Sequence, residues 1–326
     1  MNARWANLSL AVLVPLATLS GFGLFLFSEG PVLLVAVLHG TLGLGLLALV
    51  PWKGAVIRRG LRRRRPGRDV SVLLVWVVLL AVFSGLAHVV ALTAADLPVT
   101  TMQLHVGAGV AATLLTLVHA VQRPIRVRRM DWGRRILLRS GAVVAGAAGM
   151  GLAAAATGAA LDRSGDRRLT GSFRTPQPPV TQWLFDAVPT IDPTTWRLTL
   201  ETPAGERSLS VTDLSGGDEV RAVLDCTGGW WTDQVWGGTR LVRLLPEVAP
   251  GTAIEVTSAT GYARRLPLSD DLLLATTLAG APLSAGHGAP VRLVVPGRRG
   301  YHWVKWVARV EVVAGPWWAE PPLPLR

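Results

Sequence analysis

His287-Gly288-Ala289-Pro290-Val291-Arg292-Leu293-Val294-Val295-Pro296-Gly297-Arg298-Arg299-Gly300 reads as one short strand, Val291–Val295, set between turns built from Gly and Pro. Branched aliphatic side chains suit a pleated, half-buried surface, and the flanking prolines cannot continue a ladder or a helix. Comparable runs lie on either side of it: Trp196–Leu200, Ala253–Ser258 and Val304–Val313, separated by Gly, Pro and Asp. Together they predict a mixed α+β domain over 176–326. About 150 residues of this composition are enough to bury a core of their own.

Toward the N-terminus the pattern changes. A polar stretch from Arg163 to Gln177 reads as a linker. Before it come four apolar runs, Trp5–Ser28, Pro31–Trp52, Val70–Ala95 and Leu97–Gln122. Each is close to the ~20 residues a helix needs to cross a bilayer. A fifth run, Ile136–Leu161, is rich in Ala and Gly. The expected organisation is a four-helix transmembrane module at 1–135, a fifth helix and linker at 136–175, and the α+β domain at 176–326.

The formal net charge of +12 would fit a nucleic-acid partner if it were spread over a folded surface, but its distribution excludes that class. Of the 33 Lys and Arg, 16 lie at or before Arg139, against 4 of the 21 Asp and Glu. These cations form two blocks, Lys53–Arg68 and Arg123–Arg139, each following an apolar run, whereas Glu29-Gly30 and Asp96–Gln103 carry no Lys or Arg. The excess of cations on the cytoplasmic side of membrane proteins then puts the N-terminus and both blocks in the cytoplasm. The domain after residue 162 is expected outside it, on a multi-pass protein of the cell membrane. Arg134-Arg135-Ile136-Leu137-Leu138-Arg139 is similar to a twin-arginine export signature, which would suit a domain folded around a cofactor before export. The alternative is an ordinary basic flank on a membrane helix.

Four of the six histidines, His39, His88, His105 and His119, fall inside the apolar runs. A titratable ring in hydrocarbon is costly and marks a functional position by default. His105 and His119 share a helix face, separated by roughly 21 Å along the axis. This pattern resembles the four-helix b-type cytochromes, the bacterial cytochrome b561 type among them, which hold haem between paired imidazoles in a bundle core. The resemblance implies haem b on His39 and His105. It leaves His119 and His88 as possible further iron ligands, with His88 also placed to replace His39 or to line a quinone site. No histidine stands near the start of the first run to partner His119, where the chain has Asn2, Ala3, Arg4, Trp5, Ala6 and Asn7.

The chain has one cysteine, Cys226, in Asp225-Cys226-Thr227-Gly228-Gly229-Trp230-Trp231. It cannot form an internal disulfide, so it is either an inert buried thiol or a ligand. Three stretches then resemble the molybdopterin domain of the sulfite oxidase family. They are Val223–Trp230 continued by Trp236–Leu245, Thr257–Leu268, and His287–Gly300 ending in Val304-Lys305-Trp306. The resemblance implies a thiolate of Cys226 on molybdenum, with Gly228 letting the backbone approach a bulky cofactor. It also implies contacts from His287, Arg292 and Lys305 to the pterin and its phosphate. Tyr262, Arg264 and Arg298, with Tyr301 and His302, are candidates for the mouth of the site. Tyr301 and His302 are also candidates for holding the cofactor.

Two features depart from the family: no Arg-Asn-His anchor appears near Phe173-Arg174-Thr175-Pro176, and no immunoglobulin-like dimerisation domain follows Trp317-Trp318. A monomer is therefore expected. The resulting reading is a membrane-bound molybdopterin oxidoreductase that exchanges an oxygen atom with a small, sulfite- or sulfoxide-like substrate outside the cytoplasm. Electrons would pass through haem b to or from the quinone pool. The competing reading is a membrane-anchored binding module that keeps the fold without catalysis.

Overall fold

The computed structural model describes residues 3–27, 29–61, 68–89, 100–122, 134–161, 166–182 and 187–320. The Arg62–Arg65 run and the basic stretch 123–133 lie outside them. Two compact units are present, Met1–Gly171 and Ser172–Arg326.

The first unit is helical: α1 (Ala3–Leu26), α2 (Val32–Ala48), α3 (Val50–Leu61), α4 (Arg68–Val89), α5 (Thr101–Gln122) and α6 (Arg134–Leu161). Among the described residues, four spans are long and apolar enough to cross a membrane: Trp5–Leu26, Val32–Gly54, Arg68–Val89 and Thr101–Gln122. Leu34, Trp76 and Val121 are among the large apolar side chains left outward-facing, an arrangement suited to lipid rather than water. Pro31–Trp52 was expected as one run. Instead the helix is interrupted at Leu49, next to Val50-Pro51, because proline lacks an N–H and crowds the residue before it.

Small residues let backbones approach inside this unit. The α-carbon hydrogen of Gly45 faces Leu13 of α1 and Ala147 of α6, and Gly151 of α6 faces Thr41 of α2. Near the N-terminus the Trp5 indole donates to Ser140 at 3.0 Å and meets the Trp52 ring edge-on.

The second unit is built on two sheets. One runs β1 (Phe173–Arg174), β5 (Trp230–Arg240), β8 (Leu273–Leu278), β10 (Arg292–Val294), with β4 (Asp218–Cys226) paired to β5 and β9 (Ala281–Pro282) to β8. The other runs β3 (Gly205–Leu209), β2 (Leu198–Thr202), β11 (Val307–Val312), β6 (Ala253–Ser258), β7 (Ala263–Pro267), with β11 parallel to β2 and antiparallel to β6. Helix is scarcer than the α+β expectation. Among the described residues it amounts to the four-residue α7 (Leu241–Leu244) and short 3-10 turns, because the apolar runs are spent on strands and turns join them directly.

Leu198 and Leu200 of β2, Ile254 and Val256 of β6, Trp236 of β5 and Leu293 and Val294 of β10 are fully buried and pack in one cluster. Trp236 is the largest of these side chains, so Trp236→Ala removes the most buried apolar volume. That substitution should destabilise the unit by about 3–5 kcal/mol. A lower melting temperature of the full-length protein in detergent checks it.

Candidate active site

Cys226 ends β4 and pairs with Trp230 at the start of β5. The three residues between them, Thr227-Gly228-Gly229, close the hairpin. The amide of Gly229 donates to the Cys226 carbonyl at 3.2 Å, and Gly229 sits at φ +91, where a side chain would be strained. The turn presents the Gly228 amide to Cys226 Sγ at 3.4 Å, and Thr181 Oγ1 lies 3.8 Å from the same sulfur.

Arg292, on β10, is 4% exposed, with its guanidinium over the rings of Trp236 at 5.2 Å and Trp303 at 5.6 Å. Its Nη1 donates to the His287 carbonyl at 3.2 Å and its Nε has no partner. Among the described residues no carboxylate pairs with it; the opposite charge that bears on it is that of Cys226. Burial pushes the guanidinium down to about 10, with Cys226 opposing the shift, so it stays charged at neutral pH.

Lys305 places its ammonium 2.6 Å from the carbonyls of both Thr181 and Gly286. Burial first, and then repulsion from Arg292, lowers it to about 7, again opposed by Cys226. The unfolded chain holds this proton up to its ordinary value of 10.5, so between about pH 7 and 10 it binds more protons than the folded one. The penalty of a buried ammonium is therefore present below pH 7 and is relieved as pH rises. In cofactor-free protein the stability advantage of Lys305→Met over wild type should shrink from pH 7 to pH 10, which melting curves at several pH values would show.

His287 is held by two neighbours. Its Nε2–H donates to the Pro178 carbonyl at 2.8 Å, which leaves Nδ1 to accept from the Ser284 hydroxyl at 2.7 Å. Gly288, at φ +107, lets the backbone pass tightly here: a β-carbon on it would lie 3.2 Å from both Arg292 Cβ and Lys305 Cα. The segment Pro178–Thr181 thus touches Cys226, His287 and Lys305, three residues that the sequence grouped on resemblance alone.

The other candidates form a second cluster. The Tyr262 hydroxyl donates to the Tyr301 carbonyl, and Arg264 pairs with Glu320 at 2.6 Å while lying over the Tyr301 ring at 5.1 Å. Tyr301 and His302 pack ring to ring at 4.2 Å, and Arg298 lies over Trp317 at 4.9 Å. Burial, followed by repulsion from Arg264 and Arg298, lowers His302 to about 3, so it is neutral at pH 7. Burial raises Glu320 to about 7 despite the attraction of Arg264. Glu320 matches a cation that the sequence reading had assigned to substrate. No motif surrounds Glu320, and only the fold brings it 56 positions back along the chain to Arg264.

In the first unit His39 and His105 face each other, with Nε2 atoms 3.5 Å apart. His39 Nδ1 lies 3.0 Å from the Ala17 carbonyl and His105 Nδ1 2.7 Å from the Ala81 carbonyl. A carbonyl only accepts, so each neutral ring carries its proton on Nδ1 and the two Nε2 lone pairs point at each other. Gly21 and Gly85 make room for the rings: a β-carbon would stand 3.0 Å from His39 Cε1 and 2.8 Å from His105 Nδ1. His88 and His119 are engaged elsewhere. His88 Nε2–H donates to the Gly171 carbonyl at 2.6 Å and its Nδ1 is 3.0 Å from Thr101 Oγ1, while His119 Nδ1 is 3.3 Å from Ser71 Oγ.

Residues 185–319 match the family model of the oxidoreductase molybdopterin binding domain. The second unit is a sulfite oxidase-like molybdopterin-binding domain. Mitochondrial sulfite oxidase of Rattus norvegicus is 33% identical over 44% of this chain and 34% of its own length. The Homo sapiens enzyme is 32% identical with the same coverage, and sulfite oxidase of Gallus gallus is 31% identical over 38% of this chain and 36% of its own. The chain therefore spans about a third of the length of these curated relatives. The sulfane dehydrogenase SoxCD of Paracoccus pantotrophus aligns at 27% identity, a TM-score of 0.36, and 38% and 40% of the two chains. The donor set of the molybdopterin-binding domain fits its cofactor: one thiol, the buried Arg292 with an unpaired Nε, and the half-buried Lys305, neither cation paired with a carboxylate among the described residues.

Proposed function

We propose that the chain is a membrane-bound oxidoreductase that exchanges an oxygen atom with a small sulfite- or sulfoxide-like oxyanion or oxide outside the cytoplasm and passes electrons to or from the quinone pool. The observation that carries this reading is the buried Arg292 guanidinium, which pairs with no carboxylate among the described residues and keeps an unpaired Nε. Leaving a buried cation without its counter-charge is strongly unfavourable, so the site is made for an anionic group. Bound molybdopterin would supply the oxygen-atom exchange and the two electrons.

The chain's own residues do the rest. The Cys226 sulfur, turned toward the Gly228 amide, is the ligand for the metal, and a soft thiolate suits molybdenum. Arg292, lying over two indoles, has little rotamer freedom left to lose and would present its Nε to a phosphate or pterin oxygen. Lys305, its ammonium held by the Thr181 and Gly286 carbonyls, would be kept protonated above pH 7 by the proximity of an anion. His287, its ring held by Pro178 and Ser284, would line the site. Arg298, near Tyr301 and His302, supplies positive potential at the mouth.

For the first unit, the paired Nε2 lone pairs support a haem b bound by His39 and His105, which would carry single electrons through the bilayer. These two imidazoles, with Nε2 atoms 3.5 Å apart, would hold the iron, and haem would supply single-electron transfer there. The basic blocks, by their sign, would hold the N-terminus and the α2–α4 connection in the cytoplasm and the molybdopterin-binding domain outside.

The detergent-solubilised protein, assayed with sulfite and an artificial acceptor and with sulfoxides and an artificial reduced donor, tests the activity. Turnover in either direction supports the proposal. Failure with both, in protein shown to carry molybdenum, would reject the substrate class.

A further inference from the structure

Beside the Cys226 backbone lies a buried ion pair that neither cofactor nor substrate needs for charge balance. The Asp225 carboxylate pairs with the Arg299 guanidinium, their side chains 2% and 4% exposed. The Ser172 hydroxyl donates to the same carboxylate at 2.6 Å. Asp225 and Arg299 also form a parallel β-bridge, so the two residues are joined through backbone and side chain at once.

The contacts converge on one peptide group. The Cys226 carbonyl accepts from the Gly229 amide at 3.2 Å, has Arg299 Nη2 at 3.4 Å and has Ser172 Oγ at 3.4 Å. On the other side, Gly300 brings its backbone so close that a β-carbon would lie 3.2 Å from the Asp225 carbonyl and from Cys226 Cα. The orientation of the Cys226 peptide is thereby fixed from three directions, and with it the Cα–Cβ bond from which Sγ projects.

We propose that Asp225 and Arg299, with Ser172 as their support, are positioning residues that aim Cys226. This rests on the reading of Cys226 as a metal ligand. A buried ion pair is a poor way to gain stability, because removing two charges from water costs about as much as their attraction returns. What a directional, hydrogen-bonded pair does give is a single geometry, and a ligand sulfur must be held within a fraction of an ångström. Arg299, adjacent to the mouth candidate Arg298 in sequence, is on this assignment committed to the strand and not to substrate.

Because Cys226 is the only cysteine, its rate of labelling by a neutral maleimide reports its placement without background. The test uses full-length protein from cells unable to make molybdopterin. Asp225→Leu combined with Arg299→Met removes both charges at similar volume, and such replacements often leave stability unchanged. The double variant should melt within a few degrees of wild type and label about tenfold faster, since the sulfur is no longer held to one direction. Ser172→Ala should label faster by a smaller factor, and Arg299→Lys, which keeps the charge, should return toward the wild-type rate.

Wild-type labelling rates in a stably folded double variant and in Ser172→Ala would overturn the assignment. If the double variant fails to fold, the order wild type, Arg299→Lys, Ser172→Ala in labelling rate decides. Molybdenum in wild type with unchanged labelling in the variants would sink the positioning role alone. Faster labelling together with metal-free wild-type protein from cofactor-competent cells would sink the enzymatic reading alone.

Discussion

Cys226→Ser should give a folded protein with no oxidoreductase activity, whereas wild type from molybdopterin-competent cells should carry about one molybdenum per chain and turn over. Serine has nearly the volume of cysteine and can accept from the Gly228 amide, so the hairpin should close as before. The hydroxyl is a hard ligand that stays protonated at neutral pH, and the bond to a soft metal is lost. The loss should exceed that from Arg292→Met, which removes a phosphate contact but leaves the metal ligand. Elemental analysis and a melting curve separate loss of metal from loss of fold. Metal-free wild-type protein, or a Cys226→Ser variant with full activity, would remove the basis of the proposed function.

His105→Ala should abolish the b-type α-band in a dithionite-reduced minus oxidised spectrum of the membranes, and His39→Ala should do the same. The two rings share one site, and a single remaining imidazole cannot replace ligation from both faces. His88→Ala and His119→Ala should keep the band, because their Nδ1 or Nε2 atoms are engaged with Gly171, Thr101 and Ser71. A band that survives His39→Ala but not His88→Ala would mean that the ligands have been paired wrongly.

Much of this was legible in residue order because it depends on local chemistry. Helix-length apolar runs announce themselves, and so does a strand such as Arg292–Val294, bracketed by Pro290 and Pro296. The longer strands β4 and β5 were not legible. Gly237 and Gly238 read as chain breakers, yet they lie inside β5, where the register with β8 shifts. A β-carbon on Gly238 would fall 2.0 Å from the Leu274 carbonyl, so glycine is there to let strands meet, not to end one. Likewise the hydrophobicity of Pro31–Trp52 concealed the break at Leu49, since a hydropathy run carries no information about backbone hydrogen bonds.

At the site the division is similar. A lone thiol between glycines, and histidines in apolar helices, are conspicuous residue by residue. Whether a given cation is free or already matched is not. Arg264 and Arg299 both face carboxylates, Glu320 and Asp225, supplied by distant parts of the chain.

Residue order by itself determined that four runs of this chain are apolar enough to cross a membrane and that its one thiol stands beside glycines, because composition and turn chemistry act over a few neighbours. Only the tertiary structure decided which histidines meet, that Arg292 is buried with no carboxylate partner among the described residues, and that Arg299 pairs with the residue before Cys226. Those are pairings across many tens of residues, and they are set by how sheets and helices pack, which no local pattern encodes.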